Sequence, residues 1–159
     1  MAVPALAQVN IARARFDHGA PEMAEFFERV AAVNAIAERS PGFVWRLAEE
    51  TPGDTTMDVF GDARLVTNMS LWASIETLEA FVHRTVHAKV MARRGDWFEP
   101  LGRPFLALWW QDPATPPTLA LAKAKLDRLE RHGPTAEAFS ASRAFDAAGA
   151  PVLSRGAAA

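Results

Sequence analysis

The sequence predicts an α+β domain of the ferredoxin-like β-α-β-β-α-β type, an antiparallel sheet extended by a C-terminal helix. Three observations predict it. Short aromatic and branched runs alternate with two amphipathic stretches at helical spacing. Turn clusters, Asp17-His18-Gly19, Ser40-Pro41-Gly42 and His132-Gly133-Pro134, stand between such segments. The chain has 159 residues, half of them hydrophobic and 23% charged, which suits one core with little length to spare.

Leu6 to Arg13 alternates loosely and reads as the first strand. Pro21, followed by Glu22 and Glu25, opens a helix whose apolar side runs through Met23, Phe26, Phe27, Val30, Ala31, Asn34 and Ala37 to Arg39. Phe43 to Leu47 is the second strand, and Thr51 to Gly61 reads as a loop. Leu65 to Trp72 is the third strand. Ser74 then caps a helix that runs to Arg94 through Leu78, Phe81, Val82, Val86 and Val90, with a break near Arg84-Thr85 that leaves side-chain phase open beyond it. The apolar run Phe105 to Gln111 is the fourth strand. Thr115-Pro116-Pro117 opens the last helix, through Leu119, Leu126 and Leu129, and a short strand is expected within Phe139 to Phe145. Residues 1–146 make the single domain, and the Ala/Gly-rich stretch 147–159 a flexible tail.

Composition narrows the function classes. A net charge of -2 and a pI near 6.1 leave no basic excess for a phosphate backbone, so no nucleic-acid partner is expected. The absence of cysteine excludes disulfides, thiol nucleophiles and cysteine-held metals, and suits a reducing cytoplasm. The N-terminus lacks the basic start and apolar core of a signal peptide, and no run reaches the roughly 20 apolar residues that cross a bilayer. A cytoplasmic protein with no membrane partner is the expectation. Neither GxGxxG, nor GxxxxGK[ST], nor GxSxG occurs. Five Trp and ten Phe stand against no Tyr, so aromatic area comes from rings without a hydroxyl, which suits a core or a dry cavity.

Strand residues alternate sides, so each strand divides into two sets. Ala7, Val9 and Ile11 oppose Gln8 and Asn10. Phe43, Trp45 and Leu47 oppose Val44 and Arg46. Leu65, Thr67, Met69 and Leu71 oppose Val66, Asn68, Ser70 and Trp72, and Leu106, Leu108 and Trp110 oppose Phe105, Ala107, Trp109 and Gln111. One set per strand is nearly all apolar, as a helix-packing face requires. The other gathers Gln8, Asn10, Arg46, Asn68, Ser70, Trp72, Trp109 and Gln111, polar groups and large aromatics that suit a pocket for an apolar or aromatic small molecule. A wet surface or a polar dimer contact is the plainer reading. Helices on one side only leave this face in need of cover, and a second copy of the chain, giving a homodimer, is the simplest one.

The stretch Asn68-Met-Ser-Leu-Trp72-Ala-Ser74-Ile-Glu76-Thr-Leu78-Glu-Ala-Phe81, followed by His87, resembles the dimeric α/β-barrel superfamily of antibiotic-biosynthesis-monooxygenase-like proteins. The segments from Asn34 to Leu47 and from His87 to Phe98 resemble a bacterial branch of that superfamily whose function is unassigned, and the likeness spans Leu6 to Gln111. The resemblance implies two paired sheets forming a barrel, with a cavity beneath each. Some members are cofactor-independent oxygenases of polyketide anthrones, in which an Asn and a Trp four residues apart near the end of the third strand bind and activate substrate. Asn68 and Trp72 match that spacing, and Arg93 is the nearest match to an arginine of the following helix. The tyrosine such enzymes use has no counterpart here. Other members bind haem, cyclise polyketides or degrade small lactones.

The resemblance and the face pattern together select the candidate residues. Asn68, Trp72, His87 and Arg93 are the catalytic candidates. Asn10, Arg46, Ser70 and Trp109 are the substrate-binding ones. Asn68 and Arg93 suit a developing oxyanion, and His87 suits proton transfer by its near-neutral pKa. Each has a plainer reading: Arg93 as an ion pair at a dimer seam, Arg46 as the partner of a neighbouring acid, His87 as a structural side chain. His83 and His87, four apart on one helical face, lack the HExxH glutamate and read as a solvated or hydrogen-bonded pair. The expected function is oxidation or cyclisation of an aromatic or polyketide-like substrate without cofactor. A haem-binding barrel with His87 or His83 as axial ligand and a non-catalytic ligand-binding protein are the alternatives.

Overall fold

The structure, a computed structural model, describes residues 3–85 and 93–153. It is α+β, with one open antiparallel sheet of five strands. The central strand β1, Ala5–Ala14, pairs along its length with β3, Leu65–Trp72, from Leu6 opposite Trp72 to Arg13 opposite Leu65. On its other side β1 pairs with β5, Leu106–Gln111, and beyond it with the two-residue β4, Phe98–Glu99. The short β2, Phe43–Arg46, pairs with the outer side of β3. The strand order is β2-β3-β1, with β4 and β5 sharing the far side of β1.

Helices cover both faces. Ala5, Ala7, Val9, Ile11, Met69, Leu71, Ala107 and Trp109 form one face, buried under Leu119, Ala122, Leu126 and Leu129 of α5, Leu119–His132. Those four side chains form an amphipathic stripe matched to the apolar strand set. The short α2, Thr56–Phe60, joins them through Val59 and Phe60. The opposite face lies beneath α1, Ala24–Glu38, and α3, Ile75–Thr85. There Phe26, Phe27 and Val30 of α1 meet Ala12, Ala14 and Val66, while Ile75 and Leu78 of α3 meet Leu6 and Leu108. The polar face was expected to need a second copy as cover; α1 and α3 of the same chain lie on that side, while α5 packs on the apolar set, as a helix-packing face requires. Of the polar set, Gln8, Asn10, Arg46, Asn68, Ser70 and Trp72 lie on the α1–α3 side, where Asn10 and Asn68 stay exposed, whereas Trp109 and Gln111 lie on the α5 side.

Local chemistry explains most boundaries. Ser74 precedes α3 as expected, and its hydroxyl accepts the Thr77 N–H at 3.1 Å. Inside the expected loop, Thr55 and Asp58 cap each other reciprocally at 3.0 and 3.2 Å and start α2, which Gly61 ends at φ +69°. Five residues are too few for periodicity to betray such a helix. Near the far end, the short helix α4, Arg94–Trp97, leads into β4. The C-terminal stretch also departs from expectation. Phe139 exchanges two backbone hydrogen bonds with Leu108, and Asp146 accepts the N–H groups of Ala148 and Ala150. This turn returns Val152 to pack with Phe139 and Phe145, so the packed chain passes the expected boundary at 146. Among the described residues no helix is long and apolar enough to cross a membrane.

Two substitutions test this packing. Leu126→Ala should lower unfolding stability in urea by about 2–5 kcal/mol, because α5 is the cover of an entire sheet face. A loss under about 1 kcal/mol would show that α5 is not docked there. Gly42 has φ +83°, and a Cβ at that position would stand 2.5 Å from Thr77 Cβ at the start of α3. Gly42→Ala is therefore expected to cost more than the roughly 1 kcal/mol of left-handed strain alone. A neutral effect would contradict this close approach.

Candidate functional site

The pairing of β1 with β3 sets Gln8 opposite Ser70 and Asn10 opposite Asn68, while β2 sets Arg46 opposite Ser70. Residues directly opposite share a face. Beneath α1 and α3 the sheet therefore carries one polar row, Arg46–Ser70–Gln8, and beside it a second, Asn68–Asn10, which ends on Leu106. Gln8 Nε2 donates to Asn68 Oδ1 at 2.6 Å and to Ser70 Oγ at 2.8 Å, and the Trp72 indole N–H donates to Ser70 Oγ at 2.9 Å. Gln8, Ser70 and Trp72 are buried; Asn10 and Asn68 are exposed. The network thus runs from the core to the surface. A buried amide and hydroxyl persist here because each is bonded.

Trp72 anchors it. Its ring stacks on Phe81 of α3 at 4.9 Å and meets the edge of Phe43 at 5.6 Å. Being fully buried, it orients Ser70 and offers a ligand no surface. Arg46 Nε is buried without a hydrogen-bond partner; the Glu38 carboxylate stands 3.6 Å away, an ion pair too long for a hydrogen bond.

Two expected members lie elsewhere. Trp109 pairs opposite Ala7, on the α5 face, where its indole N–H donates to Gln111 Oε1 at 2.8 Å. An apolar strand such as Leu106-Ala-Leu-Trp-Trp110 fits either face, and only its register with β1 decides which. Arg93 precedes α4. Its guanidinium binds Glu25 Oε1 of α1 and Asp96 at 3.1 Å and lies 4.7 Å over the Trp97 ring. The ion pair expected as its plainer role exists, within one chain. Those bonds, with Arg29, hold the Glu25 carboxyl below the usual carboxylate range, and Glu25 with Asp96 raises the Arg93 pKa. His87 lies outside the described residues. His83 is exposed in the last turn of α3. Among the described residues no three His, Asp or Glu side chains gather to hold a metal ion.

A cleft of about 350 Å³, which no candidate from the sequence lines, opens beside Leu65 to Thr67 of β3. His18, Glu50, Thr56 and Asp62 are among the groups lining it. Glu50 accepts the Thr56 N–H at 2.9 Å and the Thr56 hydroxyl at 2.5 Å, and Thr67 stands 3.0 Å from that hydroxyl. The capping pair Thr55 and Asp58 was the sequence signal for the helix that forms one wall.

A family model described as a domain of unknown function, DUF3291, matches residues 5–154. The chain belongs to the DUF3291 family. No curated protein matches this DUF3291 chain. Among solved structures it is similar to the crystal structure of PA3566 from Pseudomonas aeruginosa, with 16% identity and a TM-score of 0.44 over 70% of this chain and 96% of that one.

The Arg93–Glu25 pair predicts a pH dependence. A carboxylate with a lowered folded pKa stabilises the fold above the ordinary glutamate value of about 4.3 and loses that contribution as pH falls through the folded value. Wild type should therefore be more stable than Glu25→Gln near neutrality, and the two unfolding midpoints should converge as the solution is acidified. A gap that stays constant into strong acid would contradict the pairing.

Proposed function

We propose that this DUF3291 chain binds a small aromatic or polyketide-like molecule on the α1–α3 face of its sheet and acts on it as a cofactor-independent, monooxygenase-like enzyme. The observation that carries this reading is the Gln8–Asn68–Ser70–Trp72 network, which holds an exposed Asn68 amide in a fixed place on the polar face of the sheet. Asn68 stabilises negative charge developing on a substrate oxygen. Arg46, from the neighbouring strand, lies beside it with its charge shared with Glu38, and Asn10 borders the same spot. Trp72 acts through Ser70. Arg93 has no part in the proposal, because Glu25 and Asp96 already engage it. In the oxidative form the substrate's own carbanion delivers electrons to dioxygen. Proton transfer falls to His87 on its chemistry alone.

The strand order and the helical crossovers from β1 to β2 and from β3 onward support the ferredoxin-like reading. The resemblance supports a homodimeric barrel. With α5 over the apolar face, such a pairing would use other surfaces.

Oxygen uptake with a panel of anthrones and related phenols tests the chemistry. Asn68→Ala is expected to reduce turnover on the order of 100-fold, the cost of removing one oxyanion donor. Equal turnover by wild type and Asn68→Ala would remove the central residue. A native mass spectrum is expected to show two chains without added mass. A haem-sized addition would instead favour the haem-binding reading, with His83 or His87 as ligand.

A further inference from the structure

We propose that Gln8 fixes the hydrogen-bonding polarity of this site and thereby selects its ligands: molecules presenting an oxygen acceptor, such as a ketone or carboxylate, rather than an ammonium donor. This rests on the reading that the α1–α3 face binds a ligand. Asn68 alone could offer either end of its amide, since one end accepts and the other donates. Gln8 Nε2 removes that freedom by donating to Asn68 Oδ1 at 2.6 Å, so that Asn68 Nδ2 is the end left for the surface. The second hydrogen of Nε2 goes to Ser70 Oγ at 2.8 Å. Ser70 Oγ also accepts the indole N–H of Trp72, a group that can only donate. With both acceptor positions of Ser70 filled, its own proton is free to donate. Arg46 Nε, on the strand position facing Ser70, is a further donor, buried and without a hydrogen-bond partner. Asn68 Nδ2 is thus the donor left at the surface, with the buried Ser70 hydroxyl and Arg46 Nε, the latter 3.6 Å from the Glu38 carboxylate, on adjoining positions of the same strip, and a ligand oxygen meets Asn68 Nδ2. Gln8 is 7% exposed, so it is a positioning residue and makes no ligand contact of its own.

Gln8→Glu tests this with little change of shape. The introduced carboxylate accepts and cannot donate, so Asn68 turns Nδ2 inward and Oδ1 outward. Acetophenone and benzylammonium serve as probes, followed by side-chain amide NMR. Acetophenone is neutral, so its response does not report simple charge repulsion. Wild type is expected to bind acetophenone and exclude benzylammonium. In Gln8→Glu at alkaline pH the acetophenone Kd should rise on the order of tenfold, and benzylammonium should bind. Burial raises a carboxyl pKa, so acidification returns a donating O–H and should restore acetophenone binding, a pH profile absent from wild type. An unchanged, pH-independent acetophenone Kd in Gln8→Glu would overturn the proposal. If that variant does not fold, Gln8→Met serves: loss of preference between the two probes is expected, and preserved preference overturns it.

Hydrogen exchange of the Asn68 side-chain amide, measured without ligand, separates the two levels of inference. Protection that appears only in Gln8→Glu supports the role of Gln8 even if neither probe binds wild type, a result that would overturn the binding reading instead. Equal exchange in both proteins overturns the role of Gln8.

Discussion

The antiparallel pairing of β1 with β3 is the constraint on which the rest of the structure depends. Its register runs without interruption from Leu6 opposite Trp72 to Arg13 opposite Leu65, and it sorts two strands into an apolar face and a polar one. A slip of one residue would exchange the faces. Gln8 and Ser70 would then lie under α5, and Val9 and Met69 under α1 and α3. Burial makes that slip costly on both sides, because the apolar set fills the α5 interface while the buried amide and hydroxyl need each other as partners. The same pairing that builds the core thus assembles the site.

How much of this could be read from the chain follows from which signals are local. The third strand was legible to the residue, and so was Ser74 as the start of the following helix, because alternation and capping are properties of neighbouring residues. The grouping of Gln8, Asn10, Asn68, Ser70 and Trp72 was legible too, since two strands of regular alternation are enough to define it. Trp109 was misplaced because the fourth strand is apolar at nearly every position, so parity says nothing about side. Phe43 and Trp45 were placed together, but an irregularity between them sets Phe43 beside Trp72 and Trp45 on the opposite face. The role of α5 was missed for another reason: which face a helix covers is decided by tertiary packing.

The family assignment supplies no activity, so functional inference rests on the chemistry of the strip. That chemistry is asymmetric. Trp72, Gln8 and Ser70 satisfy one another in the interior, and what they leave for the surface is donor capacity. Arg93, the nearest match to the arginine that the resemblance implies, joins α1 to α4 through Glu25 and Asp96 and serves the fold. The cleft beside β3 has a different character, with Glu50 and Asp62 among its walls, and would favour a different class of ligand.

A crystal soaked with a small aromatic ketone puts the Asn68 strip to a direct test. The ketone oxygen is expected within hydrogen-bond distance of Asn68 Nδ2, with Gln8 Nε2 still directed at Asn68 Oδ1 and Ser70 Oγ. A ketone held only in the cleft between Glu50 and Thr67, with the Asn68 strip unvisited, would contradict it.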